Sequence, residues 1–188
     1  MSRTWRCAAA ASVPEEAASG EAESVDAPSV NAESAEPPIQ HRYPEAVAHC
    51  YGCGHKNDQG HHFETVWDEE AGEGVTIFQP QPHHMAIPGY VYGGLIASLL
   101  DCHGIGTAAA AVRRERGPDA PLRYVTASLH VNYLKPTPLG PELEARGKIV
   151  EMKERKIVVD VRMLADGVEC ASGQVIAVRM PEGMAVGT

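Results

Sequence analysis

Between Gly93 and Val112 the sequence GGLIASLLDCHGIGTAAAAV places apolar or small side chains all the way round a helical projection, interrupted by Asp101 and His103. Such a pattern predicts a helix buried on every side, closed at its C-terminus by the charges and Pro/Gly punctuation of RRERGPDAP. Beyond Pro121 the hydrophobic period falls from 3.6 to 2. Val125, Ala127, Leu129, Val131 and Tyr133 alternate with Thr126, Ser128, His130 and Asn132, which predicts a strand with the first set turned inward. Leu143–Met152 reads as a further strand, and Ile157, Val159, Val161 and Met163 mark the next. Asp166-Gly167 is a two-residue hairpin signal, after which Val168, Cys170, Ser172, Gln174, Ile176 and Val178 alternate again. Upstream, strands are expected near His62–Trp67 and over GVTIFQP. One helix among so many strands implies an α+β fold whose sheet is antiparallel and covers one face of the helix. The opposite face also needs cover, most simply from a second subunit, so the pattern predicts a homodimer or a dimer of dimers.

Residues 1–40, built from Ala, Glu, Ser and Pro, hold too little apolar surface to offset the entropy of ordering and read as a disordered acidic tail. Residues 41–182 then form one domain, with 183–188 a flexible C-terminus. The tail's seven acids against Arg3 and Arg6 supply more than half of the formal net charge of −9. No basic stripe is present, so a nucleic-acid partner is not expected, and an acyl or otherwise apolar partner fits better. Five cysteines at uneven spacing, one inside the apolar helix, argue for a reducing compartment rather than a disulfide framework. The apolar stretch is about as long as a membrane span, but Asp101, His103 and its glycines are costly in lipid. The expectation is a cytoplasmic protein with no membrane partner.

At 100° per residue Asp101 shares a face with Gly94, Ala97, Ser98, Gly104, Ile105 and Ala108, so the carboxylate looks out of a trough of small side chains. The YGG entry to the helix provides no Ser, Thr, Asn or Asp cap. Its unpaired N–H groups, at the positive end of the helix dipole, suit a carbonyl that becomes an oxyanion. An acid or base on the same helix then suggests acyl transfer. The plainer alternative is a structural buried acid, bonded to backbone or to His103.

The stretch HMAIPGYVYGGLIASLLDCHG, preceded by CYGCGHKNDQG and followed by LHVNYLKPTPLG, resembles the hotdog-fold thioesterases of the PaaI-like superfamily, which cleave acyl-CoA thioesters. The likeness runs from about His49 to Met180. It implies a long central helix wrapped by a curved antiparallel sheet, an acyl-CoA substrate, a site between subunits, and no cofactor. The matching positions are Asn57, Gly60, Gly93, Gly94, Asp101 and Pro136. The resemblance makes Asp101 the general base toward water or the nucleophile on the thioester carbon. Gly94 N–H, with Gly93, would polarise the carbonyl, and Asn57 would position the attacking water. Burial should raise the pKa of Asp101 and so strengthen it as a base. Where the family pattern has His before Gly-Gly, this chain has Tyr92, whose phenol donates one hydrogen bond but carries no positive charge near neutrality. His84 matches a loop histidine of the family and joins Ser98 and Lys135 as substrate-binding candidates, Lys135 near the CoA phosphates.

Each of these has a plainer reading: a turn-forming Asn57, loop packing for Tyr92 and His84, a solvated Lys135. HCYGCGH, with further histidines nearby, invites a zinc reading, but a single C-x-x-C lacks a second pair at metal spacing and the resemblance makes this stretch a turn; no metal is assigned. Cys53 as a catalytic thiol has no base beside it in sequence. Two rival functions remain: a non-catalytic acyl-CoA or lipid-binding hotdog module, favoured by Tyr92, and a hotdog dehydratase, which would need an acid and a His on a different pattern.

Overall fold

The computed structural model describes residues 36–185. The expectation of a disordered tail falls, for residues 1–35, outside the described residues, as do residues 186–188 of the expected C-terminus. Among the described residues eight strands and one α-helix follow in the order β1 (Val66–Asp68), β2 (Glu73–Phe78), β3 (Met85–Ile87), β4 (Tyr90–Val91), α1 (Gly93–Arg116), β5 (Tyr124–Tyr133), β6 (Leu143–Met152), β7 (Lys156–Ala165) and β8 (Val168–Arg179). Six of the strands form one antiparallel sheet in the order β1-β2-β6-β7-β8-β5, and β3 with β4 makes a separate small hairpin. The sheet curves round α1, the hotdog arrangement, and register shifts in β5, β6 and β7–β8 bend the strands as bulges do.

The helix is where the pattern put it. Tyr92 stands at its N-cap, and Gly117, at φ 92°, ends it in a backbone conformation that favours glycine. Leu99, Leu100 and Val112 are fully buried, and burying each leucine stabilises the fold by about 1.5–3 kcal/mol. Asp166 (φ 48°) and Gly167 (φ 71°) form the expected tight turn between β7 and β8. By length and composition α1 could cross a membrane, but 83% of its apolar window is buried inside this domain.

Four expectations change. The stretch from His62 to Thr65 is not a strand: His62 has φ 54°, and Phe63 N–H donates to Gly52 O, so the chain here packs onto the 50–54 loop and β1 begins only at Val66. In β5 the shift between Thr126 and Ser128 flips the pleat, so Tyr124 and Thr126 face the helix, whereas Leu129 and Val131 take that face after the bulge. In β8 the irregularity beside Leu164 changes the phase: Cys170 is buried as expected, but beyond it Ala171, Val175 and Ala177 are the buried positions, whereas Gln174 is exposed. The fourth change concerns the outer face of α1, which the chain covers itself.

That cover is the segment Ile39–Thr65. Ile39 and Gln40 are buried, although composition had placed them in the tail, and Ile39 N–H donates to Thr65 O (3.0 Å). A Cβ built on Gly106 would meet Thr65 Oγ1 at 2.4 Å and Gln40 Nε2 at 2.7 Å, while one on Gly104 would meet Val175 Cγ2 at 2.5 Å. Glycine on both sides of the helix thus lets the strap and the sheet approach together. Need for cover is therefore no argument for a second subunit here.

A buried polar chain fastens the layers. Gln40 Nε2 donates to Thr65 Oγ1 (3.1 Å), Thr65 and Thr76 share a hydroxyl bond (3.0 Å), and Thr76 Oγ1 bonds His103 Nδ1 (2.9 Å). His103 is fully buried and burial depresses its pKa to about 3, so the ring is neutral.

Candidate active site

The first turn of α1 has no side-chain cap. Leu95 and Ile96 donate to Tyr92 O, and Gly93 and Gly94 N–H, at the helix start, have no intrahelical acceptor. Gly94 faces a cleft of about 720 Å³ that is also lined by Gly60, His61, His84, Tyr92 and Ser98. The Tyr92 ring closes over Gly94, where an added Cβ would lie 2.4 Å from the ring and 2.6 Å from the hydroxyl. Glycine lets the exposed ring lie this close, with the phenol hydroxyl beside the helix N-terminus.

His84 belongs to the same wall. Tyr92 N–H donates to His84 O (2.8 Å), which ties the Pro82–His84 turn to the start of the helix. Gln81 N–H donates to His84 Nδ1 (2.9 Å), so in the neutral ring Nε2 carries the proton. Burial, with His83 and His61 nearby, lowers the pKa of His84. Burial, then His83 and His62, does the same to His61, which stacks on Phe63 with ring centroids 5.1 Å apart.

Asp101 lies two turns beyond Gly94 on the same helical face, half-buried, and is not among the residues lining that cleft within one chain. Its partner is neither backbone nor His103. Thr126 Oγ1 donates to Asp101 Oδ1 at 2.6 Å. Burial raises the Asp101 pKa, the Thr126 bond opposes that, and Cys50 raises it further. Thr126 is a candidate the sequence did not reveal, because the β5 bulge, which has no clear sequence mark, turns its exposed side chain toward Asp101.

The remaining candidates scatter. Gly93 faces away from the main cleft toward a hollow of about 360 Å³ shared with Tyr133 and Lys135, and Tyr133 Oη donates to Gly93 O (2.8 Å). Lys135 therefore flanks the helix start from the side opposite Gly94 within one chain. Asn57 is occupied within its own loop: Nδ2 donates to His49 O (3.2 Å) and Oδ1 accepts from Gln59 N–H (3.1 Å). That side chain builds the turn that carries Gly60 and His61 to the cleft, as an Asx turn does, and in this arrangement it does not hold water in the cleft. Cys53 is buried; although Cys102 pulls its pKa down, the bond to Cys50 and burial push it up to about 12, which disfavours a thiolate nucleophile.

A curved sheet round one helix, with a glycine-start cleft and a carboxylate on that helix, defines a hotdog-fold domain of the thioesterase kind. The chain belongs to the thioesterase superfamily, whose family model matches residues 88–171. A thioesterase superfamily protein of known structure from Shewanella loihica is 45% identical, with a TM-score of 0.56 over 72% of this chain and 97% of its own. A protein from Bacillus halodurans solved with CoA is 27% identical, with a TM-score of 0.51 over 63% of this chain and 74% of its own. Acyl-coenzyme A thioesterase THEM4 of Xenopus laevis is 35% identical over 83 residues, 44% of this chain, and the chain spans 33% of that relative's length.

Proposed function

We propose that this domain hydrolyses acyl-CoA thioesters, with Asp101 as general base or nucleophile and Gly94 N–H as the oxyanion donor. The observation that carries this reading is the cleft at the uncapped start of α1, where Gly94, Tyr92, His84 and Ser98 line one space. Gly94 N–H would bind the thioester oxygen as it gains charge, with the Tyr92 hydroxyl and the His84 Nε2–H as neutral donors beside it. His84 would thereby offer an imidazole where position 92 has none. The Bacillus relative's CoA supports a CoA ester as substrate.

Helical rise separates Gly94 from Asp101 by about 10 Å along the axis, too far for both to act on one carbonyl carbon. The reading therefore takes the carboxylate from a second copy of the chain. β5 supports this: it is the sheet's edge strand, ten residues long, with Tyr133 exposed and Thr126 holding Asp101 beside it. An unpaired edge of that length readily pairs with its own kind.

The test is thiol release across a panel of acyl-CoA esters. Asp101→Asn should reduce release by about 10²–10⁴-fold while CoA binding persists, and equal rates in the two proteins would remove the assignment. Tyr92 favours one other reading, a module that binds acyl-CoA without turnover. It would show saturable binding and no thiol release from any ester of the panel.

A further inference from the structure

The fold brings three cysteines together that the sequence holds apart. Cys50 and Cys53 sit on the loop that opens the domain, and Cys102 comes from the middle of α1, 52 positions after Cys50. Their sulfurs all lie within 4.8 Å of one another, and the Cys50 and Cys102 Sγ atoms are 3.9 Å apart. In a tetrahedral zinc site with Zn–S bonds of about 2.3 Å, neighbouring sulfurs are about 3.8 Å apart. Two thiols in simple contact stand at a similar distance; what marks this group is that three of them, from two elements, meet at one point.

The backbone round the sulfurs is shaped for them. Gly54 N–H closes the loop on Cys50 O (2.8 Å). Glycine permits the approach: a Cβ on Gly52 would lie 2.3 Å from Cys102 Sγ, and one on Gly54 would lie 2.4 Å from Cys50 N.

Independent of the cysteines, two buried polar atoms beside the cluster have no partner: Tyr43 Oη and Arg123 Nε. The Arg123 guanidinium lies over the Tyr43 ring at 4.7 Å and within electrostatic reach of Cys53. A half-buried guanidinium with its Nε shielded from water favours negative charge nearby. Three thiolates round one divalent cation carry a net charge of −1 and would supply it.

We propose that Cys50, Cys53 and Cys102 bind one zinc-class cation, which pins the 50–60 loop to the middle of α1. Binding releases the thiol protons to solvent, forms three metal–sulfur bonds, and leaves a fourth position for water, since among the described residues no other His, Cys, Asp or Glu joins the group. The metal is structural: it fixes the loop carrying Gly60 and His61 against the helix that carries Ser98 and Asp101. The inference stands apart from hydrolysis and survives if no thioester is cleaved.

The test uses the full chain, reduced and stripped with a chelator, then titrated with Co²⁺ and with Zn²⁺. One equivalent of Co²⁺ should produce sulfur-to-cobalt charge-transfer absorption and the intense visible bands of a tetrahedral centre, displaced by Zn²⁺. Cys102→Ser should abolish or shift these bands, whereas Cys170→Ser, with its thiol elsewhere in the sheet, should leave them unchanged. Excess Zn²⁺ should raise Tm by about 5–10 °C. Should Cys102→Ser fail to fold, alkylation of the parent protein decides the matter: Zn²⁺ must protect Cys50, Cys53 and Cys102 and leave Cys170 labelling unaltered. No cobalt bands in fully reduced protein, no zinc protection, or a Cys50–Cys102 disulfide as the sole product of the cluster would overturn the proposal.

Discussion

Thr126 Oγ1 donates to Asp101 Oδ1 at 2.6 Å, joining the edge strand to the middle of the central helix. The bond stabilises the ionised carboxylate against the burial that raises its pKa. If Asp101 must be ionised to act, kcat/KM rises with pH through its pKa, and the acidic limb is displaced upward from that of an ordinary aspartate. Thr126→Val removes the stabilising donor, so the limb moves to still higher pH. Thr126→Ser should restore its position. A pH profile of thiol release for the three proteins checks this, and a limb that stays put in Thr126→Val would disconnect the carboxylate from the rate.

The Tyr92 hydroxyl beside Gly94 gives a second expectation. Tyr92→Phe should lower kcat/KM by about tenfold, the worth of one neutral hydrogen bond, with little change in stability because the side chain is exposed. Tyr92→His should recover or exceed the parent rate. Steady-state kinetics on the best ester of the panel measures both.

Stability should depend on pH through His103. Its folded pKa, about 3, lies below the unfolded value of about 6.5. The neutral ring's contribution is thus fully present above the unfolded pKa and is lost as pH falls toward the folded one, by up to about 1.4 kcal/mol per pH unit. Urea denaturation at pH 7 and pH 4.5 should show that loss. His103→Gln, less stable at pH 7 because it disturbs the bond to Thr76, should show a smaller pH difference.

The contact of Gly104 with Val175 predicts overpacking. Gly104→Ala drives a methyl group to 2.5 Å from Val175 Cγ2 and should cost about 1–3 kcal/mol. Val175→Ala opens a cavity on its own, but in the double variant the two losses should partly cancel. Denaturation of the four-protein cycle reads the coupling, and strictly additive losses would show that the helix and β8 do not press on each other there.

Much of the fold was legible in the sequence because long periodic elements declare themselves: GGLIASLLDCHG with its glycine start, the Asp166-Gly167 turn, and the alternation through β6 and β7. Phase was not legible wherever a bulge intervened. Nothing in Tyr124–Tyr133 marks the shift that turns Thr126 toward Asp101, and Val168–Arg179 does not announce that Ala171 and Val175 face the helix. The start of the folded body was also hidden, since Ile39 and Gln40 are only two residues at the end of a polar stretch. At the site, Gly94, Ser98, Tyr92 and His84 share one cleft as their helical and loop positions suggested. Asn57 and Lys135 do not join them, because a motif fixes residue type and order but not which way a loop side chain turns.

The strap of Ile39–Thr65 has a consequence for motion. With the sheet on one side and the strap on the other, the amides in the middle of α1 meet water only when the whole domain opens. Their hydrogen exchange then measures global unfolding directly, while the uncapped first turn, Gly93 and Gly94 included, exchanges freely. The same helix therefore joins a rigid, slow-breathing centre to a responsive tip, and the tip is where a ligand would meet it.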